Sequence, residues 1–160
     1  MEQTVSVDKD EKSGSRCPKC GYCASTEVTA EWQFHIPRDV VSLNARGTNR
    51  GSWDSRSAYV KDRKAWAWHM RAARLAHPSM DLRKVEMPRR RLTLTRLWGP
   101  RQRAFDQDNL VGGLKLVVDA MVAEWLLAGD TLEHVQVYYA QRRAGDCEKP
   151  GLLVNLEQLR

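Results

Sequence analysis

The chain has 160 residues, a formal net charge of +6 and 42% hydrophobic residues, which is enough to build one domain around its own core and too apolar for a disordered polyelectrolyte. No apolar run approaches the ~20 residues of a membrane-spanning helix, and the opening residues MEQTVSVDKDEKSGSR lack the apolar stretch of a secretory signal. A cytoplasmic protein is expected, in which the four cysteines are better suited to be thiols or metal ligands than disulfides.

Residues 1–16 are polar and mixed in charge and read as a disordered tail. Cys17-Pro-Lys-Cys20-Gly-Tyr-Cys23 then brings three thiols together, which makes residues 17–26 a candidate zinc-binding segment. Cys147 is the natural fourth ligand, with His35 and the other histidines behind it; free thiols on a tail are the alternative. A structural Zn²⁺ is the ion such a set would take.

Residues 27–36 (EVTAEWQFHI) alternate as a strand, with Val28, Trp32 and Phe34 inward. Residues 38–53 are a loop whose Arg46 and Arg50 suit a phosphate backbone. A helix capped by Asp54 or Ser55 runs to about Ala76 and stops before Pro78. Its buried side is expected to carry Tyr59, Trp66, His69, Ala73 and Ala76. Lys61, Arg63, Lys64, Arg71 and Arg74 form a basic exterior. Residues 89–98 (RRRLTLTRLW) are the next strand, followed by a turn at Gly99-Pro100 and by Arg101 and Arg103.

The segment AFDQDNLVGGLKLVVDAMVAEWLLAGD, residues 104–130, is the most informative part of the chain. At 3.6 residues per turn, Gly112, Lys115 and Asp119 follow Asp108 along nearly one line of a helix. Leu110, Leu114, Val117, Val118, Met121 and Trp125 recur at three- and four-residue steps, the stripe a helix buries. Asp106 and Asp108 suit a helix start as caps, yet four aspartates around one apolar helix also form a candidate metal and phosphate site. Gly112-Gly113 implies close approach of a ligand or of another helix. Residues 135–142 (VQVYYAQR) and 152–156 (LLVNL) are expected to pair as a hairpin. The whole is an α+β fold: a single domain over 27–160, with a mixed β-sheet packed against two main helices.

Charge is divided along the chain. Residues 38–103 hold seventeen Lys and Arg against five Asp and Glu, a balance of +12, whereas residues 104–160 hold five against nine, a balance of -4. Cations to hold phosphates and carboxylates to hold metal suit an enzyme acting on a polyanion.

Asp106-Gln107-Asp108-Asn109-Leu110, Lys115 four residues before Asp119-Ala120-Met121, then Asp130 and Val135, together resemble the signature of RusA-like Holliday junction resolvases, endodeoxyribonucleases of phages and prophages. The specific match is confined to 106–137 within a looser likeness over 28–158. The resemblance implies a homodimer in a bacterial host cytoplasm that binds four-way DNA junctions and nicks opposed strands with Mg²⁺, Mn²⁺ being a substitute. It assigns Asp106, Asp108 and Asp130 to metal, Lys115 to catalysis beside the scissile phosphate, and Asp119 to a supporting role. Lys61, Lys64, Arg101 and Arg103, with Arg46 and Arg50, are the expected DNA contacts. Two departures stand out: the Asp108 to Lys115 spacing is about one turn longer than in the shortest members, and Gly129 replaces the first of two consecutive aspartates. The alternative is a non-catalytic, structure-selective DNA-binding protein on the same fold.

Overall fold

A computed structural model describes residues 31–42, 53–83 and 89–159. The zinc-binding segment at 17–26, with Cys17, Cys20 and Cys23, the tail at 1–16, Val28, Arg46 and Arg50 lie outside these residues.

The described chain runs β1 (Trp32–Ile36), α1 (Trp53–Ala76), a 3-10 turn (Pro78–Met80), β2 (Arg90–Trp98), α2 (Gln107–Ala123), β3 (Val135–Arg143) and β4 (Gly151–Gln158). The strands form one mixed sheet in the order β1-β4-β2-β3. This is the α+β architecture expected from the order of elements. The expected hairpin is not made, however: β4 crosses to the far side of β2 and pairs antiparallel with both β2 and β1, while β3 runs parallel to β2 from Arg90↔Val135 to Trp98↔Arg143. The cause lies in burial. Leu152, Val154 and Leu156 are fully buried on one face and Asn155 nearly so on the other, so both faces of β4 are covered, which suits an interior strand. β3 exposes Tyr138 and its arginines and suits an edge.

The second helix is buried over a wide arc, with Leu110, Gly113, Leu114, Leu116, Val117, Val118, Ala120 and Met121 all inside. It packs against α1 and joins the sheet's Leu92, Leu94, Val154 and Leu156 in one core. The line of Asp108, Lys115 and Asp119 stays outside this arc, with Asp108 and Lys115 exposed and Asp119 half-buried. The apolar stripe holds as far as Met121 and fails at Trp125. α2 ends at Ala123, Trp125 takes a left-handed φ of 62° and is exposed, and Leu126 and Leu127 fill the core instead.

The same corner corrects the reading of α1. Its buried ridge is Trp66, Met70 and Arg74, whereas Tyr59 and Ala76 are exposed. Arg74 belongs to no basic exterior: it donates to Asp81 at 3.0 Å and to Glu124 at 3.4 Å, and Arg71 grips Glu124 with two further bonds of 2.9 and 3.1 Å. Buried Arg90 adds bonds to the carbonyls of Met80 and Leu126. These contacts lock the ends of both helices and set the direction in which the chain leaves α2.

Gly113 explains itself at the other end of the helix. A Cβ there would stand 2.9 Å from the Val41 carbonyl and 3.0 Å from Val40 Cγ1. The close approach implied by the glycine pair is made, at Gly113, by the chain's own segment after β1.

Candidate functional site

The polar line of α2 meets the loop that follows the helix. Lys115 Nζ lies 3.7 Å from Asp119 and 3.6 Å from Asp130. The i, i+4 spacing on one helix sets the first contact. The second depends on the turn after Ala123, which brings Asp130 back alongside the helix. Lys115 is well exposed, so the ammonium faces solvent with a carboxylate on either side. Asp119, and then Asp130, hold its pKa above the ordinary lysine value. The group is a fixed cation at neutral pH.

Two tyrosines border this cluster. The Tyr59 hydroxyl, from α1, donates to Asp119 Oδ2 at 3.1 Å. Partial burial raises its pKa, and the bond to Asp119 adds to the shift. Tyr139, from β3, is raised chiefly by burial, with Lys115 opposing and the two aspartates reinforcing. Neither tyrosine has a place in the sequence-derived site. The sequence reading puts Tyr59 on the buried side of α1, whereas it is exposed at the edge of the cluster and meets Asp119, a contact that depends on tertiary packing.

Asp106 is the N-cap of α2. Its two oxygens accept from the Asn109 amide N–H at 2.8 Å and from Asn109 Nδ2 at 2.6 Å. These bonds to Asn109 hold its carboxyl below the usual range. The preceding loop is anchored from two sides. Gln141 on β3 receives the Phe105 N–H at 2.8 Å and donates to the Phe105 carbonyl at 2.5 Å. Buried Arg96 bonds the Arg103 carbonyl at 2.9 Å, with its guanidinium 3.6 Å above the Phe105 ring. Asp108 follows in the first turn and is exposed.

The arrangement therefore brings Lys115, Asp119 and Asp130 together and holds Asp106 at the helix start by its own capping bonds. Among the described residues, no three His, Cys, Asp or Glu side chains converge closely enough to hold a metal ion. Asp106, Asp108 and Asp130 are accordingly not gathered into one three-carboxylate site. The Gly129 departure has a local reason: a Cβ at that position would stand 2.6 Å from His134 Cδ2. The imidazole occupies the space an aspartate side chain would enter.

The expected cation surface is partly present. Lys61 and Lys64 are exposed on α1, and Arg101 and Arg103 on the loop before Asp106. Cys147 is exposed between β3 and β4 and is in a disulfide, and the three cysteines expected beside it in a zinc set lie outside the described residues. No helix among the described residues is long and apolar enough to cross a membrane. Compared with protein-family models, curated proteins and solved structures, the chain finds no match.

Proposed function

We propose that the protein is an endodeoxyribonuclease acting on branched DNA, with four-way junctions as its substrate class and Lys115 at the centre of its site. The observation that carries this reading is the Lys115 ammonium held between Asp119 and Asp130 at 3.7 and 3.6 Å, on an exposed helix line that continues to Asp108. A cation kept charged by its neighbours and open to an incoming ligand is suited to a phosphodiester whose negative charge grows during attack. Lys115 would orient the scissile phosphate and oppose that charge. Its raised pKa makes it a poor proton acceptor, so the role is electrostatic. Tyr59 would keep Asp119 in place through its hydroxyl, and Arg101, Arg103, Lys61 and Lys64 would hold the flanking backbone.

Mg²⁺ is the metal the sequence resemblance implies, and exposed carboxylate oxygens are the right donors for it. The geometry departs from that expectation: Asp106 uses its oxygens as a cap, and the three aspartates do not form a common site. Paired nicks would require two copies of the site, and thus a homodimer.

The same departure favours a second reading, a structure-selective DNA-binding protein without cleavage. A synthetic four-way junction incubated in Mg²⁺ and in EDTA separates the two. Paired symmetric nicks that need Mg²⁺ support the nuclease; a gel shift without cleavage in either buffer supports the binder and removes the nuclease.

A further inference from the structure

We propose that the outward face of α1 is a docking surface for DNA at the branch, on which Trp68 stacks against an unpaired base. The inference rests on the branched-DNA reading above and names the part of the chain that would recognise the branch.

Lys61, Lys64, Trp68 and Leu75 follow one another at three-, four- and seven-residue steps, which puts them on one side of the helix. That side is opposite the Trp66 and Met70 ridge. Trp68 is 67% exposed and Leu75 70%, and both lysines are exposed. An indole left this far in water is costly to leave uncovered, since an aromatic of its size carries an apolar surface of about 150–250 Å². A helix side chain leans toward the N-terminus, so the indole lies over the turn that carries Lys64. Its ring is held edge-on by His69, at 5.0 Å and 79°, which limits the freedom it would lose on binding.

The choice of occupant follows from charge. Between Tyr59 and Ala76 the helix has one acid, Asp62, and it is already bridged to Arg38 at 3.0 Å. Lys61 and Lys64 precede the tryptophan on this face, so a partner here must be negative where it meets the lysines and flat and apolar where it meets the indole. A phosphate chain bearing an accessible base meets both requirements. Continuous duplex meets only the first, because its bases are already stacked. A branch point supplies the second. The face is on the other side of α1 from Tyr59, but a helix is only about 10–12 Å thick, and the arms of a junction leave it in several directions.

The test compares wild type, Trp68→Ala and Trp68→Phe by fluorescence anisotropy, at one salt concentration. The probes are a four-way junction carrying 2-aminopurine at the branch and a continuous duplex of the same sequence. Trp68→Ala should weaken junction binding by tenfold or so, the lower part of the ~1–3 kcal/mol typical of base stacking on an aromatic. Trp68→Phe should stay within about threefold, since an aromatic face remains. Duplex binding should change by less than about twofold in both variants, and 2-aminopurine quenching should disappear only in the alanine variant. Wild-type junction affinity in Trp68→Ala, or an equal loss on duplex, overturns the proposal and leaves the branched-DNA reading standing. A shift from dimer to monomer in sedimentation, with junction affinity per protomer unchanged, assigns the face to a second copy and also overturns it. Absence of all DNA binding by wild type removes both readings together.

Discussion

Lys115 and Asp130 approach to 3.6 Å although one lies in the middle of α2 and the other beyond its end. The contact exists because the helix stops at Ala123, Trp125 turns left-handed, and Leu126 and Leu127 go into the core. The charge cluster is thus a product of how the helix terminates, and it is sensitive to changes far from the lysine itself.

Replacing Lys115 with Ala is expected to reduce junction cleavage by at least about 100-fold, the usual cost of removing one preorganised charge from a reacting centre, while junction affinity changes by less than about threefold. Lys115→Arg should recover part of the loss. Because the lysine pKa is raised by Asp119 and then Asp130, the ammonium is fully charged below the ordinary lysine value and is lost only as pH rises past it. A pH–rate profile should therefore show no descending limb from this group across the neutral range. A loss of activity that starts near neutrality and vanishes in Lys115→Arg would contradict the assignment.

Tyr59→Phe removes the hydroxyl that donates to Asp119 and leaves the ring. The bond is exposed, so the stability change should stay below about 1 kcal/mol. Cleavage should fall several-fold with an unchanged melting temperature, because Asp119 would lose one of its two restraints. Activity equal to wild type would show that Tyr59 does not position the cluster.

Much of this arrangement is legible in the sequence, and what is not has identifiable causes. The line of Asp108, Lys115 and Asp119 follows from the helical period alone. The pairing of Lys115 with Asp130 does not, because it depends on Glu124 being gripped by Arg71 and Arg74, and spacing carries no signal for a contact between two helix ends. Arg74 looks like one more surface cation until Asp81 and Glu124 appear beside it. The false hairpin has a different origin. Two strands joined by a short loop pair with each other by default, yet the run of Leu152, Leu153 and Val154 already marks an interior strand, and an interior strand needs two neighbours. Strand order is a property of the whole sheet, and adjacency in sequence is a weak guide to it.

Gly113→Ala sets two effects against each other. Alanine gains about 1 kcal/mol over glycine within a helix. Its Cβ would, however, stand 2.9 Å from the Val41 carbonyl oxygen, a backbone atom that cannot rotate away, and overpacking of this kind costs about 1–3 kcal/mol. The variant should be less stable than wild type by about 1 kcal/mol in urea unfolding. A stabilised variant would mean that the segment after β1 yields easily.

Arg74→Met tests the buried latch. Arg74, Asp81 and Glu124 are each more than nine-tenths buried, and removing one partner of such a set leaves charge without compensation, at a typical cost of about 3–5 kcal/mol. Asp81 retains Arg83 and Glu124 retains Arg71, so the lower end applies, about 3 kcal/mol. For a chain of this length that corresponds to a fall in Tm of roughly 6–12 °C. Cleavage should fall as well, because the turn that delivers Asp130 would loosen.

The loop between β3 and β4 supplies a stability change with a defined pH window. Glu148 accepts two bonds from Arg142, at 2.5 and 2.6 Å, and one from the Gly145 N–H at 2.8 Å. The Arg142 bonds, followed by the Gly145 bond, lower its pKa to about 2 from the usual 4.5. A carboxylate depressed in the folded state stabilises that state fully above its unfolded value and loses the contribution as pH falls toward the folded one. The effect should therefore be complete above pH 4.5 or so and decline below it. The pair is partly open to solvent, which limits its worth to less than about 1 kcal/mol. Glu148→Gln should accordingly lower Tm slightly at neutral pH and converge with wild type in acid. Melting curves that differ by the same amount at pH 7 and pH 3 would show that the carboxylate charge contributes nothing and that the loop is held by shape alone.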